Sequence, residues 1–181
     1  MLSGKMRSEL SWRQLSAESL SKFSASQISG GVWQAGANSN RQFIAIYSPR
    51  CSGCAQSLAK YLSKLQNEPR MRLCVRFVGQ PDEVDYSRTC ALQALALKGP
   101  EGLKEAESIL RYAESSSPAS LEYISGPRPN PELLTKARSL VSRSVELVHQ
   151  LSLRGFPLVF ETFDDKSVVE VNPETFEVIS E

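Results

Sequence analysis

Two residues carry the chemistry most plainly. Cys51 and Cys54, in Cys51-Ser52-Gly53-Cys54, are separated by two residues. Side chains three apart on a helix share a face, so two sulfurs at this spacing can approach closely enough to close a small disulfide ring. A thiol at a helix N-terminus also meets backbone N–H groups and the positive end of the helix dipole, and both favour thiolate. Such surroundings lower a cysteine pKa from about 8.5 to between about 3.5 and 7.5, and the thiolate is the attacking species. Cys51 is therefore the expected nucleophile, partly ionised at neutral pH. Cys54, one turn deeper, is the expected resolving thiol, attacking the mixed disulfide from within. Ser52-Gly53 adds no charge, and no acidic residue in the flanking strands presents itself as a proton acceptor for Cys54.

The elements that must hold this pair can be read on either side of it. Phe43-Ile44-Ala45-Ile46-Tyr47 is a continuous apolar, aromatic and β-branched run, the pattern of a strand covered on both faces in a mostly parallel sheet. Ser48-Pro49-Arg50 ends it. Leu58, Tyr61, Leu62 and Leu65 then recur at helical spacing from Cys51 onward until Asn67-Glu68-Pro69, placing the dithiol where a strand hands over to a helix. Residues 71–78 alternate as a further strand and complete a β-α-β unit with a right-handed crossover.

Upstream, Ser11-Trp12-Arg13-Gln14 resembles a capping box before a weak stripe of Leu15, Leu20 and Phe23, so residues 1–31 read as an extension with a short helix. Val32-Trp33-Gln34 reads as a short strand. Downstream, helices over 86–98 and 101–114 are separated by Gly99-Pro100 and followed by a serine-rich linker, which marks an insertion over about residues 85–130. Asn130-Pro131 supplies an N-cap and an N1 proline for a long amphipathic helix carrying Leu133, Leu134, Ala137, Leu140, Val141, Val145 and Val148. Residues 158–161 and 167–171 form an expected hairpin, and Asn172-Pro173 opens a short terminal helix. The class is α/β.

The chain has 181 residues, 21 basic and 20 acidic, for a net charge of +1, and no basic cluster of the kind that binds nucleic acid or an anionic membrane. Its longest apolar runs, 43–47 and 156–160, are too short to enter a bilayer as spans. Residues 1–20 contain Lys5, Arg7, Glu9 and Arg13 and lack the unbroken apolar stretch of a secretory signal, which leaves the compartment open with the cytoplasm as one alternative.

Gly155-Phe156-Pro157 precedes an apolar strand late in the chain, and together with the dithiol it resembles the thioredoxin superfamily. The resemblance implies a thioredoxin fold, with the helical insertion between the β-α-β half and a C-terminal hairpin and helix half, across residues 32–181. It also implies a cis-proline loop at Pro157, a backbone at Phe156 that pairs with an extended substrate, and a proline that shields the sulfurs from metal and stray contacts. The order of elements, with Thr89-Cys90-Ala91 inside the helical segment, is similar to the catalytic domain of the DsbC and DsbG disulfide isomerases. That similarity implies protein substrates bearing thiols or disulfides, a redox partner protein, no dissociable cofactor, and a periplasmic location, against which stands the missing signal.

Other readings compete. Cys51 and Cys54 are also half of a tetrahedral zinc site, although a second pair is missing and the lone His149 reads as a surface or packing residue; no metal is assigned. Cys74 and Cys90 read as small buried apolar residues. In the isomerase family Cys90 matches one end of a structural disulfide, which leaves a Cys74–Cys90 bond as the second reading. Tyr47, Phe77, Phe160 and Phe163 read as core, Arg138 and Arg143 as a solvated helix face. The functional rival to the oxidoreductase is a redox-inert adaptor of the same fold in a secretion or conjugation assembly.

Overall fold

The computed structural model describes residues 32–34, 41–51, 53–68, 71–79, 83–115, 130–150, 155–162 and 168–175. The expected helix near residues 11–23 lies outside them. Five strands occur among the described residues: β1 (Val32–Gln34), β2 (Arg41–Tyr47), β3 (Met71–Phe77), β4 (Leu158–Thr162) and β5 (Val168–Val171). Four helices join them: α1 (Cys54–Asn67), α2 (Glu83–Leu97), α3 (Pro100–Ser115) and α4 (Pro131–Gln150).

The strands form one sheet in the order β1-β3-β2-β4-β5. Only β2 and β3, joined through α1, run parallel; the other three pairings are antiparallel. The sheet is thus mixed rather than mostly parallel. The continuous apolar run at Phe43–Tyr47 reflects a central strand covered on both faces, which does not depend on the direction of its neighbours.

Alternation along the central strands divides the core into two layers. Phe43, Ala45 and Tyr47 of β2 and Leu73, Val75 and Phe77 of β3 pack with Leu58, Tyr61 and Leu65 of α1 and Leu103, Ala106 and Leu110 of α3. Ile44, Ile46, Cys74, Leu158 and Phe160 pack on the other side with Leu147 of α4. Burying each such large side chain contributes about 1.5–3 kcal/mol. Phe43 and Tyr61 meet edge to face with centroids 5.3 Å apart.

Helix ends follow local chemistry. Asn130 Oδ1 accepts the Glu132 N–H at 2.8 Å, with Pro131 at the first helical position, as the sequence predicts. The α1 helix ends where the Glu68 N–H donates to the Lys64 carbonyl at 2.9 Å, before Pro69. Between α2 and α3, Gly99 has φ 91° and Gly102 lies so near the Leu95 carbonyl that a Cβ would overlap it, which lets the two helices meet at a tight corner. Gln93, fully buried on α2, accepts the Phe77 N–H at 3.0 Å and donates to the Val75 carbonyl at 3.2 Å, fastening α2 to β3. The expected hairpin is present as β4 and β5. Where a terminal helix is expected, residues 173–175 are a turn whose Glu174 and Thr175 N–H groups donate to Asn172 Oδ1 at 2.9 and 3.1 Å. No described helix is long and apolar enough to cross a membrane.

Candidate redox site

Cys51 and Cys54 are joined by a disulfide, with Cα atoms 5.5 Å apart. The pair sits beyond the C-terminal end of β2, but the helix begins at Cys54 and not at Cys51. The reason is Gly53, which caps α1 in the left-handed region at φ 89°, a conformation that stops the helix from extending backward. Cys51 therefore lies in the preceding turn, its N–H donating to the Ser48 carbonyl at 3.1 Å and its carbonyl accepting the Cys54 N–H at 3.5 Å. Cys51 is 8% exposed and Cys54 fully buried. The helix start has no side-chain cap and no acidic residue in its first turn, so the positive end of its dipole keeps its full effect at the dithiol.

Pro157 closes the other side. The Phe156–Pro157 peptide is cis, Gly155 precedes it at φ 79°, and Pro157 Cδ lies 3.9 Å from the position a Cβ on Gly53 would take. Gly53 and Pro157, 104 positions apart in the chain, are thus brought together as the resemblance implies. Phe156 is half-buried and packs against both core layers.

Behind the dithiol is a pair of hydroxyls that sequence reasoning passed over. Ser57 Oγ donates to the Pro173 carbonyl at 2.9 Å and lies 2.9 Å from Tyr47 Oη. Both side chains are fully buried, and burial pushes the Tyr47 phenol well above its ordinary pKa of 10.0, with the Ser57 contact working against the rise. The available signal was a serine on the same helical stripe as Cys54, Leu58 and Tyr61, where an apolar residue would fit the pattern.

No carboxylate among the described residues stands beside Cys54 on the sheet. The α1-facing side of β2 is Phe43, Ala45 and Tyr47, and the buried Glu161 is paired in register with Phe43, which packs on Tyr61 about two turns along α1 from Cys54.

Cys74 and Cys90 are buried and form no disulfide, so the Cys74–Cys90 bond is not made. Cys74 shares its face of β3 with the buried Arg76. Burial pushes the Cys74 thiol up, with the neighbouring guanidinium opposing, and lowers Arg76 to about 10. Cys90, next to Tyr86 and Arg138, is also raised by burial. Arg138 and Arg143 are exposed on α4. Among the described residues, no three His, Cys, Asp or Glu side chains converge as a metal group.

A scan of protein-family models and a search of curated proteins find no match to the chain. Solved structures do match. The thiol-disulfide exchange protein α-DsbA2 from Wolbachia pipientis superposes with a TM-score of 0.62 at 13% identity, covering 97% of this chain and 92% of that one. A linker-deletion mutant of ScsC from Proteus mirabilis gives 0.62 at 13% identity, over 91% of this chain and 77% of its own. A thioredoxin-like oxidoreductase from Silicibacter pomeroyi gives 0.54 at 15% identity, over 80% and 86%. These likenesses do not carry the DsbC and DsbG branch that the helical segment and Cys90 suggested. At such identities they show the fold alone, and that fold is thioredoxin-like.

Proposed function

We propose that the chain is a thiol–disulfide oxidoreductase acting on proteins through Cys51 and Cys54. The observation that carries the reading is the asymmetry of the pair, with Cys51 still 8% exposed ahead of an acid-free helix start and Cys54 fully buried within the helix. In the reducing direction, Cys51 thiolate attacks a substrate disulfide, forming a mixed disulfide and releasing one substrate sulfur as thiolate. Cys54 thiolate then attacks Cys51, regenerating the Cys51–Cys54 bond and releasing the second substrate thiol, so two electrons pass to the substrate. Oxidation is the reverse sequence. Phe156 and Pro157 form the substrate-binding loop, with the extended segment that carries the reacting cysteine pairing along the backbone at Phe156.

The domain reading is an extension over 1–31 and a thioredoxin-like domain over 32–181, with α2 and α3 forming its inserted helical part. The substrate class is protein thiols and disulfides, and a second redox protein exchanges electrons with the pair. Isomerase or reductase action follows the similarity to DsbC and DsbG, and the periplasm is the compartment that suits this chemistry.

The deciding experiment is alkylation of Cys51 in the reduced protein as a function of pH, with equilibration against glutathione buffers. Reaction as a thiolate well below pH 8 and reversible equilibration support the oxidoreductase, and the potential gives the direction. An ordinary thiol, or a pair that stays oxidised in every buffer, would reject it in favour of the adaptor.

A further inference from the structure

A shallow groove of about 400 Å³ runs along the outer face of α1 beside α3, lined by Ala55, Gln56, Ala59, Lys60, Ser63 and Arg111. It starts at the residue that follows Cys54. Its floor is two alanines, and its ionic lining residues are both cations. Each cation is held by a glutamate of the same chain, Lys60 by Glu174 at 3.4 Å with both side chains exposed, and Arg111, itself exposed, by the largely covered Glu107. An exposed pair such as Lys60–Glu174 contributes at most about 1 kcal/mol, so a substrate carboxylate can compete for the lysine, and the exposed face of the Arg111 guanidinium is open to a second carboxylate. The residue after Arg111, Tyr112, is 50% exposed, the one large apolar side chain so exposed among the described residues.

We propose that this groove seats the acidic segment flanking the reactive cysteine of a protein substrate. The inference rests on the exchange activity proposed for Cys51 and Cys54. From Ala55 to Ser63 the helix advances about 12 Å at 1.5 Å per residue. An extended chain covers that length in about four residues. A substrate cysteine at the dithiol therefore places the next few residues over the two alanines, with carboxylates within reach of Lys60 and Arg111. Charge complementarity of this type acts mainly on encounter and selectivity.

The test uses the reduced full chain and two peptides whose cysteine is blocked as a neutral thiopyridyl disulfide, identical except for glutamates or lysines flanking the cysteine on both sides. Attack by Cys51 thiolate releases thiopyridone, and resolution by Cys54 releases the peptide thiol, leaving the protein disulfide; the two electrons pass to the peptide disulfide. Rates are divided by those with neutral 4,4′-dithiodipyridine. At low salt, wild type should prefer the acidic peptide in KM by about two- to tenfold, the Lys60→Glu/Arg111→Glu double variant should lose or invert that preference, and added salt should collapse it. The same preference in wild type and variant would overturn the proposal. If the neutral reagent also fails to produce the Cys51–Cys54 disulfide in wild type, the oxidoreductase reading has failed separately. The groove is then judged by fluorescence anisotropy with a labelled acidic peptide bearing serine for cysteine, where equal binding by wild type and variant would reject it. A concentration-dependent dimer abolished by the double variant would reject it in favour of a second copy.

Discussion

Tyr47 and Ser57, ten residues apart, place their hydroxyl oxygens 2.9 Å from each other in the buried layer beneath the dithiol. Ser57 has one proton and donates it to the Pro173 carbonyl. Tyr47 therefore donates to Ser57. The relay ties the end of β2, the first turn of α1 and the chain after β5 into one unit, and it does so one turn from Cys54.

Ser57→Ala removes the centre of that relay and leaves a phenol and a carbonyl without it. A buried polar group deprived of its partner costs about 1–3 kcal/mol. For a domain of this size the thermal midpoint should fall by roughly 2–10 °C, and Tyr47→Phe, which deletes one partner and leaves the Ser57–Pro173 bond, should cost less. Thermal unfolding of the three proteins checks the order; a Ser57→Ala midpoint equal to wild type would show that the relay does not contribute to stability.

Cys54→Ala removes the proposed resolving thiol and keeps Cys51, the less deeply buried of the two. After reaction with a disulfide-bearing peptide, the variant should accumulate a mixed disulfide at Cys51, seen as a mass gain equal to the peptide. Cys51→Ala should trap nothing, because the thiol at position 54 is fully buried. Equal trapping by both variants would contradict the assignment of roles.

How far the sequence discloses this arrangement depends on how local the cause is. The β2 run, the α1 stripe and the Asn130-Pro131 start of α4 are legible because each is written in consecutive residues. The start of α1 is less so: helical spacing extends the stripe to Cys51, whereas one left-handed glycine, Gly53, moves the boundary to Cys54. Pro157 could be matched to the dithiol by resemblance alone, since no local pattern links positions so distant. Ser57 and Gln93 were not read as functional at all, because their partners, Pro173, Phe77 and Val75, are supplied by tertiary structure.

Gln93 offers the sharpest test of how α2 is fastened to the sheet. Its amide both accepts from Phe77 and donates to Val75, so Gln93→Leu keeps the volume and strands two buried backbone groups. The expected loss is about 2–4 kcal/mol. Gln93→Glu keeps an acceptor for Phe77 but sets a second acceptor against the Val75 carbonyl and buries a charge at neutral pH, so its urea-unfolding midpoint should be no higher than that of Gln93→Leu. A Leu variant as stable as wild type would mean that these bonds are replaced elsewhere.

Gly53→Ala tests the cap. The added Cβ finds Pro157 Cδ at an ordinary 3.9 Å, so crowding is not the penalty; the φ of 89° is. A non-glycine residue in the left-handed region costs about 1–2 kcal/mol. Stability should drop by about that amount, measured on the disulfide form by urea unfolding. A larger loss would indicate that the turn has rearranged rather than been strained.

Alkaline pH separates the buried thiols from the dithiol, because in the disulfide form Cys51 and Cys54 do not titrate. Cys74 and Cys90 have folded pKa values raised above the ordinary 9.0 by burial. The unfolded chain releases these protons first, so the stability they contribute is complete below pH 9 and is lost as pH rises through the folded values. Tyr47 acts in the same direction above its ordinary 10.0. Arg76 opposes them: its folded pKa is lowered to about 10, so above that pH the unfolded chain holds the extra proton and the fold gains. The interval from pH 9 to 10 therefore isolates the thiols. There, unfolding free energy should decline with pH, and Cys74→Ala should flatten the decline by up to about 1.4 kcal/mol per pH unit, whatever constant cost the substitution carries. Parallel curves for wild type and variant would mean that the Cys74 thiol ionises as readily in the fold as in the unfolded chain.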